Sequence, residues 1–264
     1  MELSKNAERF KGFADIYDDA RPTIPGFALK TIVRYLGYKP EVVVDLGCGT
    51  GLSTTMWANC AKEVIGVEPS FDMLSVAMNK QNETIRFVGG YGHDTGLGSD
   101  FADVVVCSQS FHWMEPHTTL AEVNRILKDG GVFAAIDCDW PPVSLWQAEK
   151  AYEILYDKVK SLEAELPDVK SSFIRYNKSA HLGNIKSSSF FRYSREVLFS
   201  GTELCNAERF INIIMSQGSL QSVLKKRPDL ISDDIEKFSS EISRIFNTEV
   251  FEIDFSYRMR IAVK

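Results

Sequence analysis

Short apolar runs alternate with amphipathic stretches along the first half of the chain. The runs predict buried strands, and the stretches between them carry apolar residues at helical spacing. The predicted strands lie near 42–46, 64–67, 85–88, 103–107 and 131–137, and the predicted helices near 27–36, 52–60, 71–80 and 117–127. Strands that alternate with helices form parallel β-α-β units, so the pattern predicts an α/β fold with a doubly wound sheet.

The alternation ends after Trp140. Residues 146–166 form one long predicted helix, because apolar side chains recur there at spacings of four and three. A polar, serine-rich stretch over 171–189 follows. Beyond it, the pattern predicts a strand near 191–198, helices near 203–215 and 229–246, and an alternating strand over 251–257 that closes the sheet.

The chain of 264 residues is long enough for one large domain that carries an insertion. We predict a mostly parallel, seven-stranded sheet built from residues 1–139 and 190–264, with residues 1–26 as a lead-in segment that covers the site. Residues 140–189 form a predicted helical cap after the fifth strand. Two roles fit this cap: it shapes a binding site, or it covers the edges of the sheet and helices.

A glycine-rich turn joins the first predicted strand to the helix that follows. The segment over 43–51 reads Val-Val-Asp-Leu-Gly-Cys-Gly-Thr-Gly, and its glycines are Gly47, Gly49 and Gly51. A strand, a glycine-rich turn and a helix in this order are typical of nucleotide-cofactor sites in open α/β sheets. The glycines allow a tight turn and let a ligand approach the backbone without meeting a Cβ atom.

Asp45 and Leu52 separate this turn from a dinucleotide site. The dehydrogenase pattern needs a third glycine or alanine for close helix packing, and that pattern fails at Leu52. The Asp45 carboxylate, two residues before the first glycine, repels a pyrophosphate but suits a positively charged ligand. S-adenosylmethionine fits this requirement, because it carries an α-ammonium and a sulfonium and no phosphate. The alternative is a strand–turn–helix unit that binds no ligand.

Glu68 ends the second predicted strand, 17 residues beyond Gly51. An acid at this place accepts hydrogen bonds from both hydroxyls of a ribose, whereas elsewhere in a sequence it is more often an ordinary surface glutamate. Pro69 and Ser70 open the next predicted helix, with the Ser70 side chain as its N-cap. Glu68 and Pro69 are therefore predicted cofactor contacts.

Five segments in order resemble motifs of the class I S-adenosylmethionine-dependent methyltransferases. They are a lead-in segment, the glycine turn, the acidic strand end, a fourth strand ending in His-Trp, and a helix with a Gly-Gly turn and fifth strand, at 13–25, 43–54, 64–74, 103–113 and 122–137. The chain is similar in particular to the small-molecule branch called type 11, which includes trans-aconitate methyltransferase-like proteins. The resemblance implies the Rossmann-like methyltransferase fold, with S-adenosyl-L-methionine as cofactor and S-adenosyl-L-homocysteine as product.

The resemblance also implies where the adenine ring lies, beside the loop after the third strand. Relatives often carry an acid there, and in this sequence its place falls on His93. The backbone groups of Gly92 and His93 are candidates for contacts with the ring edge. The nearby carboxylate of Asp94 is the alternative.

The methionine end of the cofactor needs partners for an ammonium and a carboxylate. Ser108, which closes the fourth predicted strand, offers a backbone carbonyl to the ammonium alongside Asp45. Arg21 and Tyr17 are the candidates for the carboxylate, since an arginine binds a carboxylate through two hydrogen bonds. The alternative for Arg21 is a salt bridge to an aspartate of the same segment.

His112 and Trp113 are the candidates for the methyl-acceptor site, because they follow the fourth predicted strand, where the methyl group should emerge. Transfer from a sulfonium is mainly catalysis by positioning, and a base is needed only when the acceptor must lose a proton. We predict that His112 orients the acceptor or acts as its base, and that Trp113 lines the pocket. The alternatives are that His112 caps the next helix or packs beneath the cap.

The composition limits the classes of partner that we expect for this protein. The net charge of −6 gives no electrostatic basis for binding nucleic acid. No apolar run reaches the ~18 residues that a membrane helix needs, and the N-terminus carries no apolar secretion signal. The five cysteines contain no C-x-x-C pair and the four histidines show no metal-ligand spacing. We predict a cytoplasmic protein with no metal and a small-molecule acceptor, and we make no prediction of its oligomeric state.

Two other classes of function compete with methyl transfer. One is a different enzyme on the same fold, an aminopropyltransferase or a nicotinamide dehydrogenase. Arg21 argues against the first, since its cofactor lacks the carboxylate, and Asp45 with Leu52 argues against the second. The other is a non-catalytic module that binds S-adenosylmethionine or a protein partner, which the sequence leaves open.

Overall fold

The computed structural model describes Asn6, Asp18 and residues 20–264. The strands are β1 (Val42–Leu46), β2 (Glu63–Glu68), β3 (Ile85–Gly89), β4 (Ala102–Ser108), β5 (Leu127–Cys138), β6 (Tyr193–Cys205) and β7 (Phe251–Val263). The helices are α1 (Gly26–Leu36), α2 (Leu52–Thr55), α3 (Phe71–Met78), α4 (Pro116–Ile126), α5 (Trp146–Glu165), α6 (Pro167–Lys170), α7 (His181–Ser187), α8 (Ala207–Met215), α9 (Gly218–Lys226) and α10 (Ser232–Phe246). Short 3₁₀ turns cover Phe111–Trp113, Lys178–Ala180 and Pro228–Leu230.

The strands form one seven-stranded sheet in the order β3-β2-β1-β4-β5-β7-β6. β1 is parallel to its neighbours β2 and β4, and the outer pairs β2–β3 and β4–β5 are parallel as well. β7 runs antiparallel to β5. The predicted doubly wound, mostly parallel sheet is therefore confirmed, and the strand order reverses at β1, between β2 and β4.

The sequence predicted that the last strand closes the sheet, and this prediction is wrong. β7 lies between β5 and β6, with Val263 opposite Val132 and Tyr257 opposite Cys138. Four consecutive residues near the end of β7, 259–262, are buried, whereas β6 alternates between exposed and half-buried residues. The prediction covered only residues 251–257, whereas β7 pairs with β5 through residues 257–263, so the pairing that sets its place in the sheet lies beyond the predicted segment.

Several elements differ from their predicted bounds. α2 ends at Thr55 and turns follow it, where the sequence predicted a helix to residue 60. β6 continues to Cys205, where a helix was predicted from residue 203. Helix α9 was not predicted, because serine and glutamine side chains fill its buried positions and hide the apolar pattern. Helix α7 lies inside the polar stretch over 171–189.

Internal contacts divide the chain into two compact units. One unit comprises the described residues up to 22 together with 139–174 and 200–256, and the other comprises residues 23–138, 175–199 and 257–264. These limits differ from the predicted core and cap, because residues 175–189 belong to the second unit and residues 200–256 to the first. The role of the segment 140–189 in shaping an acceptor site remains a prediction.

The first unit is built around the long helix α5, which packs against α9 and α10. Tyr152 on α5 is fully buried and meets the ring of Phe210 edge-on, with 6.2 Å between ring centroids. Phe210 in turn lies 5.3 Å from Phe246 at the end of α10. Aromatic contacts therefore hold three helices of this unit together.

The second unit contains the parallel strands and the carboxyl ends at which ligands bind in such sheets. Val44, Val105 and Phe133, on β1, β4 and β5, are completely buried. Phe111, just beyond β4, packs edge-on against Phe133 at 5.6 Å. This core fixes the strand ends relative to one another. No helix in the described part of the chain is long and apolar enough to cross a membrane.

Candidate functional site

Three predicted site residues lie at the carboxyl ends of neighbouring strands. Asp45 lies near the end of β1, Glu68 ends β2 and Ser108 ends β4. Asp45 pairs with Gly66 on one side and with Val106 on the other, so the neighbouring strands end close to it. The carboxyl end of β1 is the switch point of the sheet, where open α/β proteins bind their ligands.

The glycine turn leaves β1 with all three glycines at positive φ: Gly47 at 66°, Gly49 at 57° and Gly51 at 83°. The amides of Gly47 and Cys48 both donate to the carbonyl of Val67, at 2.8 and 3.1 Å. The turn is therefore fastened to the end of β2. Left-handed backbone at three alternate positions explains why the sequence places glycine at each of them.

The three glycines face different surroundings. A Cβ atom at Gly47 would lie 2.7 Å from the Cβ of Ser110, and one at Gly51 would lie 2.7 Å from the ring of Phe87. Among the residues that the structure describes, a Cβ atom at Gly49 would meet nothing within 4 Å. Gly47 and Gly51 therefore allow Ser110 and Phe87 to pack closely against the turn. Gly49 instead leaves space beside its backbone that a ligand can occupy.

Asp45 is completely buried, and one of its oxygens holds the start of α2. Its Oδ2 accepts hydrogen bonds from the hydroxyls of Ser53, at 2.6 Å, and Thr54, at 2.7 Å. Its Oδ1 has no hydrogen-bond partner within the described residues. Burial raises the pKa of Asp45 to about 6, although the two hydroxyls oppose the shift. A buried carboxylate with one unsatisfied oxygen is suited to a cationic ligand.

Glu68 connects the glycine turn to the next helix. Its Oε2 accepts from the amide of Gly49 and its Oε1 accepts from the amide of Ser70, both at 2.9 Å. Burial raises the pKa of Glu68 to about 7, and the two amide donors oppose this shift. Each carboxylate oxygen retains a second acceptor site, so hydrogen bonds to ribose hydroxyls remain a prediction.

The predicted capping role of Ser70 is wrong. Ser70 stands at the N-cap of α3, but its side chain makes no capping hydrogen bond. Its backbone amide, which follows Pro69, is instead bound by Glu68. The carboxylate thus takes a donor at the start of the helix, where negative charge is favourable.

The loop after β3 forms a tight turn in which Tyr91 and Asp94 exchange two backbone hydrogen bonds of 3.0 Å. Gly92 is buried, and a Cβ atom there would lie 2.5 Å from the sulfur of Met114. His93 is half-buried and its ring centroid lies 5.5 Å from that of Tyr91, while Asp94 is exposed. The adenine contacts of Gly92 and of His93 or Asp94 remain predictions.

The segment after β4 is tied back to β1. Ser108 is half-buried, and Gln109 after it has a positive φ of 56°. The Ser110 hydroxyl donates to the carbonyl of Leu46 at 2.6 Å. This hydrogen bond holds the segment after Ser108 beside the end of β1. The ammonium contact of the Ser108 carbonyl remains a prediction.

His112 is buried within the 3₁₀ turn after β4 and packs against Trp113, with 4.5 Å between ring centroids. It does not cap α4: the Glu115 side chain accepts from the first amides of that helix. Burial, helped by the nearby ammonium of Lys178, lowers the pKa of His112 to about 3. The imidazole is therefore neutral and a weak base, which favours hydrogen bonding over proton abstraction.

A cluster of charged and ionisable side chains surrounds His112, and the sequence did not predict it. Asp137, at the end of β5, lies with its Oδ1 3.4 Å from His112 Nδ1. His181, Lys178 and Arg260 contact the same carboxylate, at 3.7, 3.0 and 2.8 Å. An acid that ends a buried strand was the only signal in the sequence, since the two histidines lie far apart along the chain.

Arg21 belongs to the first compact unit. Its guanidinium donates to the carbonyl of Ser216 at 2.9 Å and to Oε1 of Gln217 at 3.3 Å, and it lies 5.0 Å from the ring centroid of Trp140. Tyr17, its predicted companion, lies outside the described residues. The carboxylate-binding roles of Arg21 and Tyr17 remain predictions.

Comparison with known proteins identifies residues 44–135 as a match to the family described as "Methyltransferase domain". A "Probable S-adenosylmethionine-dependent methyltransferase CRG1" from Saccharomyces cerevisiae is 33% identical over 124 residues, which are 45% of this chain and 43% of that protein. The chain thus spans less than half of the length of this relative. The family match over residues 44–135 includes the glycine turn, Glu68 and the segment after β4.

Two solved structures share the fold. A "Putative Type II Methyltransferase" from Anaeromyxobacter dehalogenans superposes with a TM-score of 0.66 at 17% identity, over 92% of this chain and 97% of that one. A Haemonchus contortus phosphoethanolamine N-methyltransferase solved with S-adenosylhomocysteine gives 0.57 at 14% identity, over 100% of this chain and 60% of that one. The comparisons confirm the class I S-adenosylmethionine-dependent methyltransferase resemblance for the matched part of the chain. The trans-aconitate-like branch remains a prediction.

Proposed function

From the premise that residues 44–135 form a methyltransferase domain, we propose that this protein transfers the methyl group of S-adenosylmethionine to a small-molecule acceptor. We propose an acceptor of the kind that the type 11 branch methylates, in which a carboxylate or a hydroxyl receives the methyl group. The acidic net charge of −6 supports a small molecule over nucleic acid. A cytoplasmic location is part of the proposal and is supported by the free state of all five cysteines.

The observation that carries the proposal is the pair of buried carboxylates around an open glycine. In the described part of the chain, Oδ1 of Asp45 has no hydrogen-bond partner, Glu68 accepts from the amide of Gly49, and no atom lies within 4 Å of an added Cβ at Gly49. The Asp45 carboxylate would repel a pyrophosphate beside the turn, whereas it would attract the ammonium and sulfonium of S-adenosylmethionine. The same chemistry argues against a nicotinamide dehydrogenase.

S-adenosylmethionine supplies an electrophilic methyl carbon, so that the acceptor atom forms a bond to it as the carbon–sulfur bond breaks and leaves S-adenosylhomocysteine. The residues of this chain have to hold both partners in line and exclude water. Glu68 and the Gly49 backbone hold the ribose side of the ligand in this proposal. Asp45 and the Ser108 carbonyl hold the ammonium.

The neutral imidazole of His112 serves the acceptor in this proposal. A group with a pKa of about 3 keeps one donor and one acceptor nitrogen throughout the physiological range. It therefore orients an acceptor without competing for its proton, and Trp113 beside it offers an apolar wall. An acceptor that is already ionised, such as a carboxylate, suits such a site better than one that must lose its proton to a strong base.

Calorimetric titration with S-adenosylmethionine, S-adenosylhomocysteine and NAD tests the cofactor assignment. We expect binding of the first two, with dissociation constants in the micromolar range, and no measurable heat with NAD. Binding of NAD in preference to S-adenosylmethionine would overturn the interpretation of Asp45 and of the glycine turn.

The same titration has an expected pH dependence. The pKa values of about 6 for Asp45 and about 7 for Glu68 mean that both acids take up protons as the pH falls from about 7.5 to about 5.5. A cation and ribose hydroxyls favour the ionised forms, so affinity is retained above these pKa values and lost below them. We expect binding about tenfold weaker, or more, at the lower pH. Equal affinity at both values would remove these carboxylates from the site.

A further inference from the structure

We propose that Asp137 is a positioning residue for His112. Its carboxylate holds the Nδ1–H of the imidazole, so that Nε2 is the nitrogen offered to the methyl acceptor. This inference rests on the acceptor-orienting role proposed for His112. It adds a residue, and a defined tautomer, that the sequence motifs did not indicate.

The carboxylate of Asp137 is itself fixed in place. Arg260 donates to its Oδ2 at 2.8 Å, and the ammonium of Lys178 lies 3.0 Å from its Oδ1. Arg260 is buried and is held on its other side by Glu196, at 2.8 Å. Burial would raise the pKa of Asp137, but the contacts with His112 and Lys178 hold it well below its ordinary value. The group is therefore an ionised, immobile acceptor.

The placement of His112 against this acceptor defines its tautomer. Its Nδ1 lies 3.4 Å from Asp137 Oδ1, and its backbone carbonyl accepts from the amide of Tyr176 at 2.8 Å. A neutral imidazole carries one proton, and the nitrogen that faces a carboxylate keeps it. The 3.4 Å separation is long for a hydrogen bond, and such contacts tighten when a substrate binds.

His181 contacts the other oxygen of the same carboxylate. It is completely buried, its Nε2 lies 3.7 Å from Asp137 Oδ2, and its ring packs 4.7 Å from that of Phe111. Burial lowers its pKa to about 4, so it is neutral. His181 therefore packs against the carboxylate of Asp137 without adding charge.

A divalent metal ion is the competing explanation for this cluster. The ligand atoms of His112, Asp137 and His181 all lie within 4.8 Å of one another. However, Arg260 and Lys178 already neutralise the carboxylate, and a metal ion would be a third positive centre beside both of them. Charge balance therefore favours a hydrogen-bonded array, and metal binding becomes an outcome of the test.

The spectroscopic test uses protein labelled with ¹⁵N at histidine, in which ring nitrogen shifts report tautomer and pKa. We expect wild-type His112 to be the Nδ1-protonated tautomer and to stay neutral at pH 6. Asp137→Asn should change its tautomer distribution. Lys178→Met, at a half-exposed position, should keep the tautomer and raise the His112 pKa, because the ammonium lowers it. This second variant serves if Asp137→Asn fails to fold.

The kinetic test uses turnover and cofactor affinity together. We expect Asp137→Asn to lower kcat about 10–100-fold and to leave the Kd of S-adenosylmethionine within about twofold. Asp129→Asn is the matched control, since Asp129 lies on the same strand with its side chain fully exposed. The control should match wild type in both measurements.

The outcomes separate this inference from the proposed function. A changed His112 tautomer with unchanged turnover would support the positioning by Asp137 and remove His112 from the reaction. An Nε2-protonated His112 in the wild type, an unchanged tautomer in Asp137→Asn, or a changed tautomer in Lys178→Met would overturn the positioning role whatever the activity. Stoichiometric binding of Zn²⁺ that shifts both histidines would also overturn it, in favour of a metal site.

Discussion

We expect Gly49→Ala to weaken the binding of S-adenosylmethionine by about 1–3 kcal/mol, which is roughly 5–150-fold. Gly49 is the glycine of the turn whose added Cβ atom would meet no atom of the described part of the chain within 4 Å. The methyl group of alanine therefore enters the space assigned to the ligand. Calorimetry of the variant with S-adenosylmethionine measures the loss directly.

Gly37→Ala is the matched control for this variant. Gly37 also has a positive φ, of 88°, and an added Cβ atom there also meets nothing within 4 Å. Both variants carry the strain of a left-handed alanine, about 1–2 kcal/mol, so both should lower the free energy of unfolding similarly. Only Gly49→Ala should lose affinity. Equal affinity of the two variants would place the ligand away from the turn.

The second large effect is expected at Glu68. Glu68→Ala should weaken cofactor binding by about 1.5–3 kcal/mol, because it removes charge-assisted hydrogen bonds to the ribose. It also frees the amides of Gly49 and Ser70, so the turn itself loses support. We therefore expect a lower melting temperature in addition to the weaker binding, measured by calorimetry and thermal unfolding.

Glu63→Ala controls for the loss of a glutamate from the same strand. Glu63 begins β2 and makes a partly exposed ion pair with Arg86, at 2.7 Å. Such pairs contribute about 0–1 kcal/mol, and this one lies at the opposite end of the strand from the site. Its affinity should equal that of wild type. Wild-type affinity in Glu68→Ala as well would refute the ribose assignment.

The fold was largely predictable because its strands carry continuous apolar runs. The buried strands β1, β2 and β4 lie within about one residue of their predicted bounds, since parallel strands covered on both faces leave a strong signal. The glycine turn was predictable for a different reason. Alternate left-handed positions at Gly47, Gly49 and Gly51 require glycine, and the sequence shows them directly.

The late part of the chain was less predictable. Position within a sheet depends on which strands pair with one another, and β7 pairs with β5 through residues beyond its alternating start. Helix α9 was missed because Ser219, Gln221 and Ser222 are buried where apolar residues were expected. Propensity and periodicity report local structure, and these features depend on tertiary packing.

The surroundings of His112 could not be predicted from spacing at all. The motif after β4 marked His112, but its partners come from the end of β5, the turn at Lys178, α7 and β7. The helix-capping alternative failed because Glu115 caps α4 in its place. The predicted base role was weakened by burial, which the sequence does not report.

Transfer of a labelled methyl group tests the central claim most directly. The purified protein would be incubated with S-adenosylmethionine labelled at the methyl carbon and with panels of carboxylic acids, phenols and amines. The proposal predicts label in at least one small molecule, with one S-adenosylhomocysteine formed for each methyl group transferred. Tight binding of S-adenosylmethionine without turnover on any panel would contradict the proposed activity and identify the chain as a non-catalytic binding module.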